Sequence, residues 1–160
     1  MTPIKFKQMG PHPWAWLAYG FGAGLSPKAP GTVGTLVAIP IYLLMVQAGL
    51  AIYSLLVLVS IAGGIWICQK ASDQLQSHDH PGIVWDEVAG FLLTMWMIPV
   101  SLYTVIAGFV LFRIFDILKP WPIRVADSKV SGGFGIMLDD LIAAIFANLC
   151  LQLLLIFAVI

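Results

Sequence analysis

The chain has 160 residues, 60% of them hydrophobic and 10% charged, with eight Lys and Arg against eight Asp and Glu and a mean hydropathy of +0.95. Soluble domains carry about a quarter charged residues, so this is the composition of a membrane protein. A formal net charge of zero, with no basic run and no aromatic-basic alternation, gives no case for a nucleic-acid partner.

Residues 29–69, 88–112 and 141–160 carry no charge. A span needs about 20 mostly apolar residues, so several crossings are expected. At the N-terminus Lys5 and Lys7 precede an apolar piece, 14–25, that is interrupted by Gly20, Gly22 and Gly24. As a helix it would extend only about 18 Å. No cleavable signal is expected, and the piece reads as an interfacial segment with Trp14, Trp16 and Tyr19 at headgroup level. His12, between two prolines, reads as a surface residue.

Residues 20–35 are rich in Gly and Pro and read as a loop. Two readings stand side by side. One is a phosphate-facing turn presenting backbone N–H groups, Ser26, Thr32 and Lys28, without the Gly-Lys-Ser/Thr ending of a P-loop; the other is a structural turn. The uncharged run from 32 to 68 then breaks at Gln47-Ala48-Gly49, giving a helical hairpin with Pro40 inside its shorter arm. Cys68 and Cys150 lie in apolar segments and read as small hydrophobic residues.

A polar connection, 70–87, contains His78-Asp79-His80 and ends in Asp86-Glu87 at the mouth of an apolar segment. Carboxylates there are costly unless a partner or metal neutralises them. Histidines spaced i,i+2 do not share a helix face, so the spacing of His78 and His80 is weak evidence for a metal site. The following region, 85–118, breaks at Pro99-Val100-Ser101, and a turn there keeps every Lys and Arg on one side of the membrane, as the positive-inside rule favours. Ser101 is fifteen residues from both Asp86 and Asp116. A hairpin therefore sets Asp86 and Glu87 opposite Arg113 and Asp116, which share a helix face at i,i+3. Lys119 precedes Pro120 and marks the end of the arm.

A loop over 121–133 carries Arg124, Asp127 and Lys129, with Asp127 expected to pair with one of those bases. Asp139 and Asp140 open a last helix that can run to Ile160, where an N-terminal dipole alone would favour them. Trp14, Trp16, Trp85 and Trp121 read as an interfacial belt. The expected fold is all-α: a multi-pass helical membrane protein with about five crossings, built from two helical hairpins and a C-terminal helix plus an N-terminal interfacial segment. With no internal repeat or linker, residues 1–160 form one domain.

The polar set thus comprises Asp79, Asp86, Glu87, Asp116, Asp139 and Asp140 with Arg113, Lys119 and Lys28. Hard oxygen ligands suit Mg²⁺, and Arg and Lys supply the other half of a phosphate site. Metal-assisted chemistry on a phosphorylated lipid fits this mixture. The motifs of cysteine phosphatases, haloacid-dehalogenase phosphatases, type 2 phosphatidic-acid phosphatases and CDP-alcohol phosphotransferases are absent. A rival from another class is a small ion-coupled transporter, whose acids would lie near the bilayer midplane.

Four blocks carry a resemblance: Gly-Leu-Ser-Pro-Lys-Ala-Pro-Gly-Thr-Val-Gly-Thr from Gly24, His-Asp-His-Pro-Gly-Ile-Val-Trp-Asp-Glu from His78, Phe-Arg-Ile-Phe-Asp-Ile-Leu-Lys-Pro-Trp-Pro-Ile from Phe112, and Gly-Gly-Phe-Gly-Ile-Met-Leu-Asp-Asp from Gly132. In that order and combination the chain resembles the phosphatidylglycerophosphatase A family of bacterial inner-membrane enzymes, which hydrolyse phosphatidylglycerophosphate to phosphatidylglycerol and phosphate. The resemblance implies an all-helical, Mg²⁺-dependent phosphomonoesterase whose lipid substrate is met at the cytoplasmic membrane surface. Asp86, Glu87, Asp116, Asp139 and Asp140 are then expected to hold one or two Mg²⁺ ions. Arg113 and Lys119, with Lys28, Ser26 and Thr32, would bind phosphate, and His78, Asp79 or His80 would move protons. The oligomeric state is left open.

Overall fold

The computed structural model describes residues 6–157, and among these every regular element is helical. The elements are α1 (Phe6–Met9), α2 (Pro13–Ala18), α3 (Pro30–Met45), α4 (Leu50–Leu75), α5 (Trp85–Thr94), α6 (Leu102–Leu118), α7 (Ile123–Lys129) and α8 (Gly132–Ile156). Three stretches, Pro30–Ala48, Leu50–Leu75 and Gly132–Ile156, are long and apolar enough to cross a membrane. The expected tail of the last helix at 158–160 and the basic residue Lys5 lie outside the described residues.

The break at 47–49 is present as a 3₁₀ turn, Val46–Ala48, followed by Gly49 at φ +84°. α3 and α4 nevertheless touch little beyond that turn; both pack on α5, while α6 packs chiefly on α8. The helices on either side of each break thus pack mainly on α5 and α8, as parts of one interleaved bundle. α8 is its centre, with 56% of its spanning window buried against 28% for α3 and 22% for α4.

α5 is ten residues long, about 15 Å at 1.5 Å per residue, and the chain from Met95 to Ser101 is non-helical. The exposed carbonyls at such an end need partners in an apolar medium. Tyr53 Oη donates to the Leu92 carbonyl at 2.6 Å, and Asn148 Nδ2 donates to the carbonyls of Thr94 and Trp96 at 2.8 Å each. Ser101 and Thr104 then restart the helix with a reciprocal cap, each backbone N–H donating to the other's hydroxyl at 3.0 Å.

Several local expectations are corrected. The loop expected over 20–35 holds a 3₁₀ segment, Gly20–Leu25, and yields to α3 already at Pro30, because a proline in the first turn suits a helix start. Tyr19 does not face outward: it is fully buried, with its hydroxyl 3.4 Å from Gln74 Oε1. Trp85 is half-buried and donates from Nε1 to the Ser60 carbonyl at 3.1 Å, whereas Trp121 is 81% exposed. The loop expected over 121–133 contains α7. Cys68 and Cys150 are both free thiols.

Candidate active site

The start of α3, the start of α5, the end of α6 and the first half of α8 meet around a cavity of about 280 Å³. Its wall includes Asp79, Asp86, Glu87, Arg113, Asp116, Lys119, Asp139 and Asp140, with Ala29, Pro30 and Gly31. Asp86 and Glu87 stand in the first turn of α5, where the helix dipole favours carboxylates. That matches the expected start of an arm, whereas Asp139 and Asp140 do not open their helix as expected. Because α8 begins at Gly132, Asp139 and Asp140 lie two turns inside the helix, and its N-terminal dipole does not account for them.

Asp86 is 6% exposed, Asp140 3%, Asp139 6% and Asp116 9%. Burying carboxylates this deeply is costly without compensating charge. Arg113 Nη1 supplies part of it, 2.7 Å from Asp116 Oδ2 on its own helix and 3.7 Å from Glu87 Oε1 across to α5. Lys119 supplies the rest, its Nζ 2.6 Å from Asp139 Oδ2 and 2.5 Å from Asp127 Oδ1. Asp127 therefore pairs with Lys119 rather than with Arg124 or Lys129. Burial alone would lower the Lys119 pKa, but the hydrogen bonds and charges of Asp127 and Asp139 outweigh it and raise it. Asp79, although exposed as a residue, has its carboxyl pKa raised chiefly by desolvation, with the Lys119 charge opposing.

Two cations do not satisfy five carboxyls. Asp86 Oδ1, Glu87 Oε2 and Asp140 Oδ2 are buried without a hydrogen-bond partner, as is Arg113 Nε. Asp86, Glu87 and Asp140 each offer an oxygen within 4.8 Å of the others, and so do Asp116, Asp139 and Asp140. Such closely set, unpartnered oxygens match a hard divalent cation better than they match an ordinary salt-bridge network.

Not every residue singled out in the sequence reaches this cavity. Ser26 donates to the Lys28 carbonyl at 2.8 Å, Lys28 is exposed, and neither these two nor Thr32 and His78 form part of the wall. What the Gly-Pro segment contributes to the wall is Ala29, Pro30 and Gly31. A Cβ on Gly31 would collide with Glu87 Oε1 and crowd Arg113 Nη1, so any larger residue here would push the Glu87 carboxylate and the Arg113 guanidinium out of place. Thr35, one turn on and fully buried, donates to the Gly31 carbonyl at 3.0 Å and stands 3.5 Å from Arg113 Nη1. Sequence reasoning passed over Gly31 and Thr35 as site residues, although a Gly and a Thr one helical turn apart beside a conspicuous Pro were visible.

The acidic and basic residues converge on one cavity, which lends no support to the transporter reading. The phosphatidylglycerophosphatase A family model matches residues 16–155. Phosphatidylglycerophosphatase A of Escherichia coli K12 is 47% identical over 137 residues, covering 85% of this chain and 80% of that protein. Phosphatidylglycerophosphatase A of Haemophilus influenzae Rd is 44% identical over 133 residues, covering 82% of each. No solved structure matches. With the match running through nearly all of the described residues, the chain belongs to the phosphatidylglycerophosphatase A family.

Proposed function

We propose that this protein is a phosphatidylglycerophosphatase of the bacterial cytoplasmic membrane. In this reading it is a single domain that crosses the bilayer about five times and uses Mg²⁺ at a cytoplasm-facing site to release the terminal phosphate of phosphatidylglycerophosphate. The observation that carries it is the convergence of Asp86, Glu87, Asp116, Asp139 and Asp140 with Arg113 and Lys119 on one cavity, in a chain of this family. At about 280 Å³ the cavity falls near the small end of ligand pockets, which run from about 300 Å³, and suits a headgroup rather than a whole lipid.

The donor set fits Mg²⁺: all its candidate ligands are carboxylate oxygens, and three of those are buried without partners. Bound by the five acids, Mg²⁺ would polarise the phosphoryl group and make a water more acidic. The chain's own side chains orient the reaction. Arg113, at the cavity wall and 2.7 Å from Asp116 before substrate arrives, supplies the guanidinium that an incoming phosphate oxygen can engage. Lys119, kept charged by its two carboxylates, neutralises charge that spreads over the phosphoryl oxygens. As the new water-oxygen bond to phosphorus forms and the bond to the glycerol oxygen breaks, that oxygen needs a proton. Asp79, at the wall with a raised pKa, is the group suited to give it. Thr35 and Gly31 hold Arg113 and Glu87 in register.

The test is phosphate release by purified protein in detergent micelles containing phosphatidylglycerophosphate or phosphatidic acid, with Mg²⁺ or with chelator. Fast Mg²⁺-dependent release from phosphatidylglycerophosphate is expected, and no release from either lipid would refute the assignment.

A further inference from the structure

The two carboxylate triads share one residue but differ in what already holds them. Asp140, 3% exposed, belongs to both. In the first triad Asp86 Oδ1, Glu87 Oε2 and Asp140 Oδ2 are buried and unpartnered, and the nearest guanidinium nitrogen stays 3.7 Å from Glu87 Oε1, too far for a hydrogen bond. In the second, Asp116 Oδ2 is 2.7 Å from Arg113 Nη1 and Asp139 Oδ2 is 2.6 Å from Lys119 Nζ. A cation reaching the first triad meets free oxygens. One reaching the second meets two carboxylates that a guanidinium and an ammonium already neutralise, each through a charge-assisted hydrogen bond.

We propose, building on the metal-dependent phosphatase reading above, that the cavity takes two divalent cations of unequal affinity bridged by Asp140. The standing ion sits on Asp86, Glu87 and Asp140. The second sits on Asp116, Asp139 and Asp140, and it enters once a phosphate group has drawn Arg113 and Lys119 away from those carboxylates. Both cations are natural phosphate partners, and a phosphate oxygen compensates them as well as the carboxylate they leave. Two ions about 3.5–4 Å apart can clamp one phosphoryl group, and triads that overlap in one residue suit that spacing. Binding of the phosphate and of the second ion is then reciprocal: each raises the affinity for the other by the same factor. Premature loading is opposed by the protein's own cations, so the complete site assembles on the substrate.

Purified wild-type protein in detergent is titrated with Mn²⁺, following bound metal by equilibrium dialysis and its environment by low-temperature electron paramagnetic resonance, with and without inorganic phosphate. Without phosphate, one tightly bound, magnetically isolated ion per chain is expected. Phosphate should tighten a second ion by about tenfold or more and produce the spectrum of an exchange-coupled pair. Lys119→Met should tighten the second site by about tenfold in the absence of phosphate, because its competing cation is gone. Asp116→Asn should keep the first ion and lose the second, which also shows that a folded variant is being measured, and Asp140→Asn should lose the coupled spectrum. Two equal sites without phosphate, or a single ion at saturating phosphate, would overturn the proposal while leaving a metal-dependent phosphatase intact. No bound Mn²⁺ under any condition would overturn both.

Discussion

Lys119 Nζ lies 2.6 Å from Asp139 Oδ2, joining the left-handed end of α6 to the third turn of α8 across the cavity. The contact ties the site to the surface helix α7 as well, since Asp127 on α7 holds the same ammonium at 2.5 Å. Removing the lysine leaves a buried carboxylate without its cation. Lys119→Met is therefore expected to lower kcat/KM by about a hundredfold or more, with Lys119→Arg recovering part of the loss. Steady-state phosphate release from both variants checks this, and equal rates for the two variants would argue against a charge role.

The pH dependence of that pair has a definite sign. The Lys119 pKa is raised in the folded protein, so its contribution to stability is complete below the unfolded value of about 10.4 and fades only as pH climbs through the higher folded value. Between about pH 6 and about pH 9 the melting temperature of Lys119→Met should fall below wild type by a constant margin. Differential scanning fluorimetry across that range measures it; a margin that closes before about pH 9 would contradict the assignment.

Gly31 and Gly63 should respond oppositely to alanine. A Cβ at Gly31 meets Glu87 and Arg113, whereas one at Gly63, mid-helix in α4, meets nothing within 4 Å. Gly31→Ala is expected to cost at least about tenfold in activity through a displaced Glu87 and Arg113. Gly63→Ala should keep full activity and gain roughly 0.5–1 kcal/mol of helix stability, visible as a higher melting temperature.

Asn148 tests the far end of the bundle. Its amide donates to two carbonyls that close α5, and Asn148→Leu would leave both unsatisfied in an apolar setting at about 1–3 kcal/mol each. The expected outcome is a clearly lower melting temperature with kcat/KM little changed in the protein that remains folded, because the residue stands away from the cavity wall.

How much of this was legible in the sequence follows from the range of the interactions. The approach of Glu87 to Arg113, 3.7 Å apart, could be read from equal distances to Ser101, since the turn between α5 and α6 brings the far ends of both helices to one side. The arrival of Asp139 and Asp140 could be anticipated only as a matter of side. That α8 starts at Gly132, putting them inside the helix, depends on Gly133 packing against the Ile65 carbonyl and Gln69, where a Cβ would not fit and Gln69 Oε1 accepts the Gly133 N–H at 2.7 Å. No local signal announces such a contact. Equally, Ser26, Lys28 and Thr32 looked like phosphate ligands by residue type, yet tertiary placement brings the backbone at Gly31 to the cavity instead.

That difference is itself measurable. Lys28 is exposed and away from the wall, so Lys28→Ala should change phosphate release by less than about threefold, where Arg113→Gln should reduce it by at least about a hundredfold. A large loss in Lys28→Ala would restore the side chains of the Gly-Pro segment to the site.

The most direct test of the account is phosphate release from phosphatidylglycerophosphate in Mg²⁺ by wild type beside Asp86→Asn and Asp140→Asn, each shown to be folded by its melting curve. Both substitutions remove charge from buried, unpartnered oxygens at the heart of the acid cluster. The account predicts a loss of about a thousandfold or more in each with little loss of stability. Near-normal activity in either variant would contradict it.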